Sequence, residues 1–194
     1  MRLLPDHRGQ KYTQKKLAAT DAIFEQLSLV KAAAETDTTV LRISMDAKAT
    51  VRVGDCSRGG KKRVRVKAAD HDFKPSARVT PGGILVPQCD ELFLACVTSK
   101  VTSDCLVDVL EQWWESVRER FEQVKTLVIN LDNGPENQSH RTQFLNRLVT
   151  FAQKYQLAVH LAYYPPYHST YNPVERCWCQ RLRTFGSSHF LVNR

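Results

Sequence analysis

Residues 126–141 read TLVINLDNGPENQSHR. Leu127, Val128 and Ile129 form an unbroken apolar run, and Asp132-Asn133-Gly134-Pro135 stops it. A continuously apolar run bounded by turn residues predicts a strand buried on both faces, as in the centre of a parallel sheet. The acid at its end has two readings. Asp, Asn, Gly and Pro are the residues that build turns. The carboxyl end of a central strand is also where an α/β sheet presents catalytic groups.

The neighbours of this stretch alternate in kind. Downstream, residues 139–155 (SHRTQFLNRLVTFAQKY) predict an amphipathic helix capped by Ser139, with Phe144, Leu145, Leu148, Phe151, Ala152 and Tyr155 inward. QLAVHLAYY (156–164) predicts a strand, PPYHSTYNP (165–173) a loop, and Asn172 the start of a last helix. Upstream, residues 103–121 (SDCLVDVLEQWWESVRERF) predict a helix capped by Ser103, with Leu106, Leu110, Trp113, Val117 and Phe121 on one face. Trp113 reads as core and Trp114 as a residue for an interface. ELFLACVTS (91–99) predicts a strand.

Further upstream the period changes to two. Leu41, Ile43 and Met45 alternate with Arg42, Ser44 and Asp46, which predicts a half-buried strand. Val51 and Val53 continue the alternation after a short turn, so the two segments predict a hairpin. Residues 55–90 are basic and turn-rich, and predict an irregular insertion with a short strand at 64–66. Residues 1–36 predict a linker ending in a helix, with Ile23, Leu27 and Val30 on one face; residues 37–194 form the main domain. The order is three strands, then helix, strand, helix, strand, helix. Three antiparallel strands followed by alternating helices and strands make a mixed α/β sheet, the order of the ribonuclease H-like fold.

Bulk properties narrow the function. A length of 194 residues supports one domain with a real core. No run of eighteen apolar residues occurs, so no membrane span or membrane partner is expected. The first sixteen residues lack the apolar stretch of a secretion signal. Cysteines at 56, 89, 96, 105, 177 and 179 are scattered, as in a reduced, cytoplasmic protein. The net charge of +8 favours a polyanionic partner. In SRGGKKRVRVK (57–67), Arg58, Lys61, Lys62, Arg63, Arg65 and Lys67 are basic. That stretch is either a charged edge strand kept soluble or a phosphate-binding segment approached closely at Gly59-Gly60.

In such a sheet Asp46 and Asp132, 86 residues apart (132 − 46), end adjacent strands, and Glu175 begins the last helix beside them. Three converging carboxylates repel unless they hold hard cations such as Mg²⁺. Two such ions about 4 Å apart activate the attacking and leaving oxygens of a phosphodiester. Each acid also has a plainer reading. Asp46 and Asp132 would serve as turn residues, and Glu175 would complete a capping box with Asn172 and Pro173. Cys177, Cys179 and His168 lack zinc-site spacing, since C-x-C on a helix points to different faces. Asp70-His71-Asp72 reads as turn chemistry or as a contact to the site. Tyr163, Tyr164 and Tyr167 would either stack on unpaired bases or pack over the sheet end.

MDAKATVRVGDCSRGGKKR (45–63), DHDF (70–73), LDNGPENQSHRTQFL (131–145) and YYPPYHSTYNPVERCW (163–178) together resemble DDE-type bacterial insertion-sequence transposases of the Azo-like (ISAzo) group. DNGPEN resembles the second-aspartate motif of retroviral-type integrases. The resemblance runs from about residue 10 to Trp178. It implies a metal-binding triad of Asp46, Asp132 and Glu175 holding two Mg²⁺ or Mn²⁺ ions, supported by Asn133. It implies DNA contact at Arg58, Lys61, Lys62, Arg63 and Arg65. The implied reaction is hydrolysis at transposon ends, then attack of the freed 3′-hydroxyl on target DNA, by a homo-oligomer at the nucleoid. A helix-turn-helix region and the long helical ending of such enzymes are not recognisable, so a catalytic-domain fragment is expected. A nuclease of the same fold, or an inactive remnant that only binds DNA, remain the alternatives.

Overall fold

The central run forms β5 (Thr126–Leu131), whose last five residues are buried. In the computed structural model, which describes residues 19–53, 77–166 and 168–181, β5 lies between two parallel neighbours, β1 (Val40–Ala47) and β6 (Ala158–Tyr163). A strand with partners on both edges and cover on both faces has no solvent side, which is why its pattern is unbroken rather than alternating. The other strands are β2 (Val51–Val53), β3 (Ala77–Val86) and β4 (Glu91–Val97). The sheet order is β2-β3-β1-β5-β6, with β4 paired to β3. Strands β1, β3 and β4 are antiparallel, and β1, β5 and β6 are parallel. This is the mixed ribonuclease H-like sheet that the element order predicts.

Two expectations about its antiparallel half are corrected. Residues 77–86, assigned to the end of an irregular insertion, are the ten-residue strand β3. Pro81-Gly82-Gly83 hid it, because such residues normally punctuate strands. The predicted β1–β2 hairpin is also absent. The Lys48 N–H bonds the Pro81 carbonyl at 2.8 Å and the Thr50 and Thr80 hydroxyls meet at 2.8 Å. The chain therefore stays beside β3, and β2 pairs with β3 rather than folding back on β1. Ala47 pairs with Gly82, and Val51 with Val79. Three residues on one side thus oppose two on the other, a bulge that accommodates a proline with no N–H to give.

Helices α2 (Ser103–Val117) and α3 (Thr142–Tyr155) cover one face of the sheet. Both predicted caps move. Thr102, not Ser103, caps α2 by accepting from the Cys105 N–H at 3.2 Å. Ser103 instead donates to the Glu136 carbonyl at 2.7 Å. Helix α3 begins after Arg141 without a side-chain cap, so Ser139 lies outside it. Trp114 is buried with Trp113, so it belongs to the core and not to an interface. The core joins Leu41, Ile43 and Met45 of β1 and Leu127, Ile129 and Leu131 of β5 to the two helices. Among the described residues no helix is long and apolar enough to cross a membrane.

Helices α1 (Thr20–Thr36) and α4 (Pro173–Arg181) belong to the other side. Phe24 of α1 meets the rings of His168 and Tyr171 edge-on, at 5.5 and 5.0 Å between centroids. The N-terminal helix thereby braces the loop that leads into α4. Arg58, Lys61, Lys62, Arg63 and Arg65, the strand predicted at 64–66, the Asp70-His71-Asp72 cluster and Tyr167 lie outside the described residues.

Candidate active site

Strand alternation puts Arg42, Ser44 and Asp46 on one face of β1, opposite the apolar core, and all three are buried. Buried polar groups need partners, and each finds one far away in sequence. Arg42 Nη1 donates to Asn130 Oδ1 at 3.2 Å. Ser44 Oγ donates to Asn172 Oδ1 and accepts from the Val174 N–H at 3.1 Å. Trp178 Nε1 donates to Asp46 Oδ2 at 3.0 Å. The first turn of α4 is therefore capped by a serine of β1. Asn172, expected to cap it, sends its side-chain amide to the Met45 carbonyl at 3.3 Å.

The three sequence-predicted acids converge. In the β1–β5 ladder each partner lies 86 residues further along, from Val40↔Thr126 to Ser44↔Asn130. Carried two residues on, that register sets Asp132 level with Asp46. Both carboxylates line one cavity of about 120 Å³, with Leu131, Gly134 and Asn137. Glu175 projects from α4 and pairs with the Lys48 ammonium, which also lies 3.5 Å from Asp46 Oδ2. The Glu175 carboxylate thus turns to Lys48, away from the predicted capping box. Burial first, then the negative charges of Glu175 and Asp132, push the Asp46 carboxyl up to about 6; Lys48 and the Trp178 hydrogen bond oppose them.

Asp132 stands just beyond β5, at the start of a clamped turn. Asn137 Nδ2 donates to Asp132 Oδ1 at 3.3 Å. The bond to Asp132 seen here comes from Asn137, and Asn133, from which support was predicted, is exposed. Tyr163 Oη donates to the Asn137 carbonyl at 2.7 Å, and Ser103 holds Glu136. The turn is tight at Gly134: a Cβ on it would stand 3.1 Å from Asn137 Oδ1 and 3.4 Å from Asp132 Oδ1. Tyr163 therefore packs and bonds over the sheet end, Tyr164 is buried, and burial pushes the Tyr163 hydroxyl up to about 12. Tyr163 is half-buried and Tyr164 is closed to base stacking.

Lys48, Trp178, Asn137 and the Ser44–Asn172 pair were not singled out from sequence as members of the site. Lys48 had one available signal, since it follows Asp46 by two residues and shares its face of the chain. Gly83 lies opposite Asp46 in the β1–β3 register, and a Cβ there would come within 2.9 Å of the Trp178 ring. The glycine makes the room in which Trp178 reaches Asp46. His168 is buried in the ring cluster with Phe24 and Tyr171, and Cys177 is packed against the small core of Leu85, Val174 and Trp178. A larger cavity of about 570 Å³ beside α2 is lined by Asp104, Asp108, Glu111 and Glu115. Asp108 there bonds Arg147, and Lys154 pairs with Glu111 and Glu115.

Among the described residues no three His, Cys, Asp or Glu side chains stand close enough to enclose a metal ion as they are. The donor set nonetheless suits a hard cation. All three acids offer oxygen, and a cation, the Lys48 ammonium, already bridges two of them. Asn137 Oδ1, beside Asp132, is buried without a hydrogen-bond partner. A water carried by such an ion would satisfy it.

The sequence matches the family model described as the Rhodopirellula transposase DDE domain over residues 7–189. No curated protein matches the chain in sequence. Among solved structures the fold is similar to the Mos1 transposase paired-end complex with the left transposon end. The TM-score is 0.51 at 9% identity, over 98% of this chain and 53% of that one. A pre-cleavage Mos1 transpososome matches with TM-score 0.48 at 6% identity, over 96% and 55%. The Mos1 mariner paired-end complex with Mn matches with TM-score 0.45 at 12% identity, over 94% and 52%. The chain spans about half the length of these structures, and at such identities the likeness is one of fold.

Proposed function

The chain belongs to the family of Rhodopirellula transposase DDE domains, and from that premise we propose that Asp46, Asp132 and Glu175 form a metal-dependent DNA strand-cleavage and strand-transfer site. The observation that supports the reading is the one cavity that Asp46 and Asp132 both line, with Glu175 close enough to raise the Asp46 carboxyl. Two Mg²⁺ or Mn²⁺ ions held by these oxygens would supply charge neutralisation to the attacking and leaving oxygens of a phosphodiester.

The rest of the work belongs to the chain. Trp178 fixes Oδ2 of Asp46. Asn137 orients Asp132. The Ser44–Asn172 pair anchors the first turn of α4 and so sets where Glu175 stands. Arg58, Lys61, Lys62, Arg63 and Arg65 would hold the DNA backbone, at transposon ends and at the target. Binding through them would weaken steeply with salt. The domain division at residue 37, assembly of copies on paired ends and action at the nucleoid belong to the same reading.

Thermal unfolding with Mn²⁺ is the first test. A ligand that binds only the folded state raises its stability by mass action. Mn²⁺ should raise the unfolding temperature of the wild type and not of Asp132→Asn. No rise in a well-folded wild type would overturn the metal site. Incubation with Mn²⁺, a plasmid and a duplex bearing a free 3′-hydroxyl then separates the activities. Joined products mean strand transfer, nicking alone means a nuclease, and metal binding without either means a DNA-binding remnant.

A further inference from the structure

We infer that Lys48 is the resident cation of the acid cluster, holding Asp46 and Glu175 in place until a divalent metal displaces it. The inference rests on the metal reading of the three acids.

Its geometry is independent of that reading. Lys48 follows Asp46 by two residues, and its backbone N–H is pinned to the Pro81 carbonyl at the bulge. The side chain is thereby directed onto the face that carries Asp46. Its ammonium contacts Glu175, lies 3.5 Å from Asp46 Oδ2, and sits 5.7 Å from the centroid of the Trp178 ring. Asp46 is 6% exposed at its side chain, Glu175 24% and Lys48 29%. A nearly buried carboxylate beside two others is costly without a counter-charge, and Lys48 neutralises one of the three negative charges. Trp178 and Lys48 approach the same oxygen, Oδ2 of Asp46, and Lys48 reaches Oε2 of Glu175. A divalent ion shared by Asp46 and Glu175 must compete for the space and the charge that Lys48 holds. The partly exposed Lys48 side chain has solvent to move into, so exchange needs no backbone rearrangement.

Two consequences follow. Without metal, Lys48 stabilises the fold. With metal, Lys48 is a competitor, and its amine becomes free only when the site is loaded.

The experiment titrates Mn²⁺ against thermal unfolding of the full chain as wild type, Lys48→Met and Lys48→Arg, with circular dichroism to verify folding. Lys48→Met should unfold at lower temperature without metal, yet reach half its Mn²⁺-induced rise at a roughly five- to tenfold lower Mn²⁺ concentration. Lys48→Arg keeps the charge and should resemble the wild type. Acetylation of the wild type with an amine-reactive ester, mapped by mass spectrometry, gives a second readout that survives if Lys48→Met fails to fold. Labelling at Lys48 should increase when Mn²⁺ is added. A clear wild-type Mn²⁺ response with an unchanged midpoint in Lys48→Met, or with unchanged labelling of Lys48, overturns the role of Lys48 alone. No Mn²⁺ response in any variant overturns the metal reading, and this inference with it.

Discussion

The two faces of β1 and β5 differ in how they are held together. On the α2–α3 face, Leu41, Ile43, Met45, Leu127, Ile129 and Leu131 meet the apolar stripes of two helices that flank β5 in sequence. On the α4 face, Arg42, Ser44, Asp46 and Asn130 are polar, buried, and individually paired. The first face tolerates rearrangement, since apolar packing is non-directional. The second is specified atom by atom, because a buried polar group that loses its partner retains its desolvation cost. The lesson is a division of labour: one face supplies stability and the other supplies position.

Removing the largest buried ring of the apolar face is the strongest way to break that division. Trp113→Ala should lose about 3–5 kcal/mol in urea unfolding. The Mn²⁺ midpoint of whatever remains folded should not change. A midpoint that moves with stability would mean that the faces are not separable.

The polar face should show the opposite sign at Asp46. Its carboxyl is raised to about 6 when folded, above its ordinary value of 3.8. The folded chain therefore binds more protons between those values, and stability falls as pH rises from about 4 to about 6. Asp46→Asn removes that loss. In metal-free thermal or urea unfolding it should gain about 2–3 kcal/mol at pH 7, shrinking to about 1 kcal/mol at pH 4.5. A mutant less stable than the wild type at pH 7 would show that Lys48 and Trp178 outweigh the repulsion among the acids.

Two smaller changes sharpen where position comes from. Gly83→Ala puts a methyl 2.9 Å from the Trp178 ring. It should destabilise by about 1–3 kcal/mol and weaken the Mn²⁺ response, because the indole leaves Asp46. Ser44→Ala removes the cap of α4 and should lose about 1–2 kcal/mol. Hydrogen exchange should show the loss first at the Val174 amide, while the β5 amides keep their protection.

The same contrast explains how much was legible in the sequence. Strand β5, the helices α2 and α3 and the alternation of β1 are local patterns, and periodicity revealed them. Asp46 and Asp132 were legible as carboxylates at the ends of two strands, and Glu175 as an acid at the start of the last helix. Strand β3 was missed since Pro81-Gly82-Gly83 reads as a turn, whereas Gly83 makes room for a distant residue, Trp178. The caps at Ser103 and Ser139 failed for a related reason. Ser103 is committed to the turn at Glu136, and Thr102 takes its place. Asn137 was not legible because the turn closes over Gly134 and brings the fifth residue after Asp132 back to it. Lys48, Asn172 and Trp178 act across 127 to 132 positions of sequence, where no local pattern reports them.

The Ser44–Asn172 pair joins the second strand residue before Asp46 to the residue that opens α4, 128 positions later. On a ribosome the chain emerges from its N-terminus, and domains begin to fold as they appear. With residues up to about 155 outside the exit tunnel, β1, β3, β4 and β5 can already assemble and bring Asp46 level with Asp132. Glu175, Trp178 and the anchor at Asn172 are then still inside. A nascent chain of that length therefore carries two acids of the three, and the site closes only once residues 172–178 have followed them out.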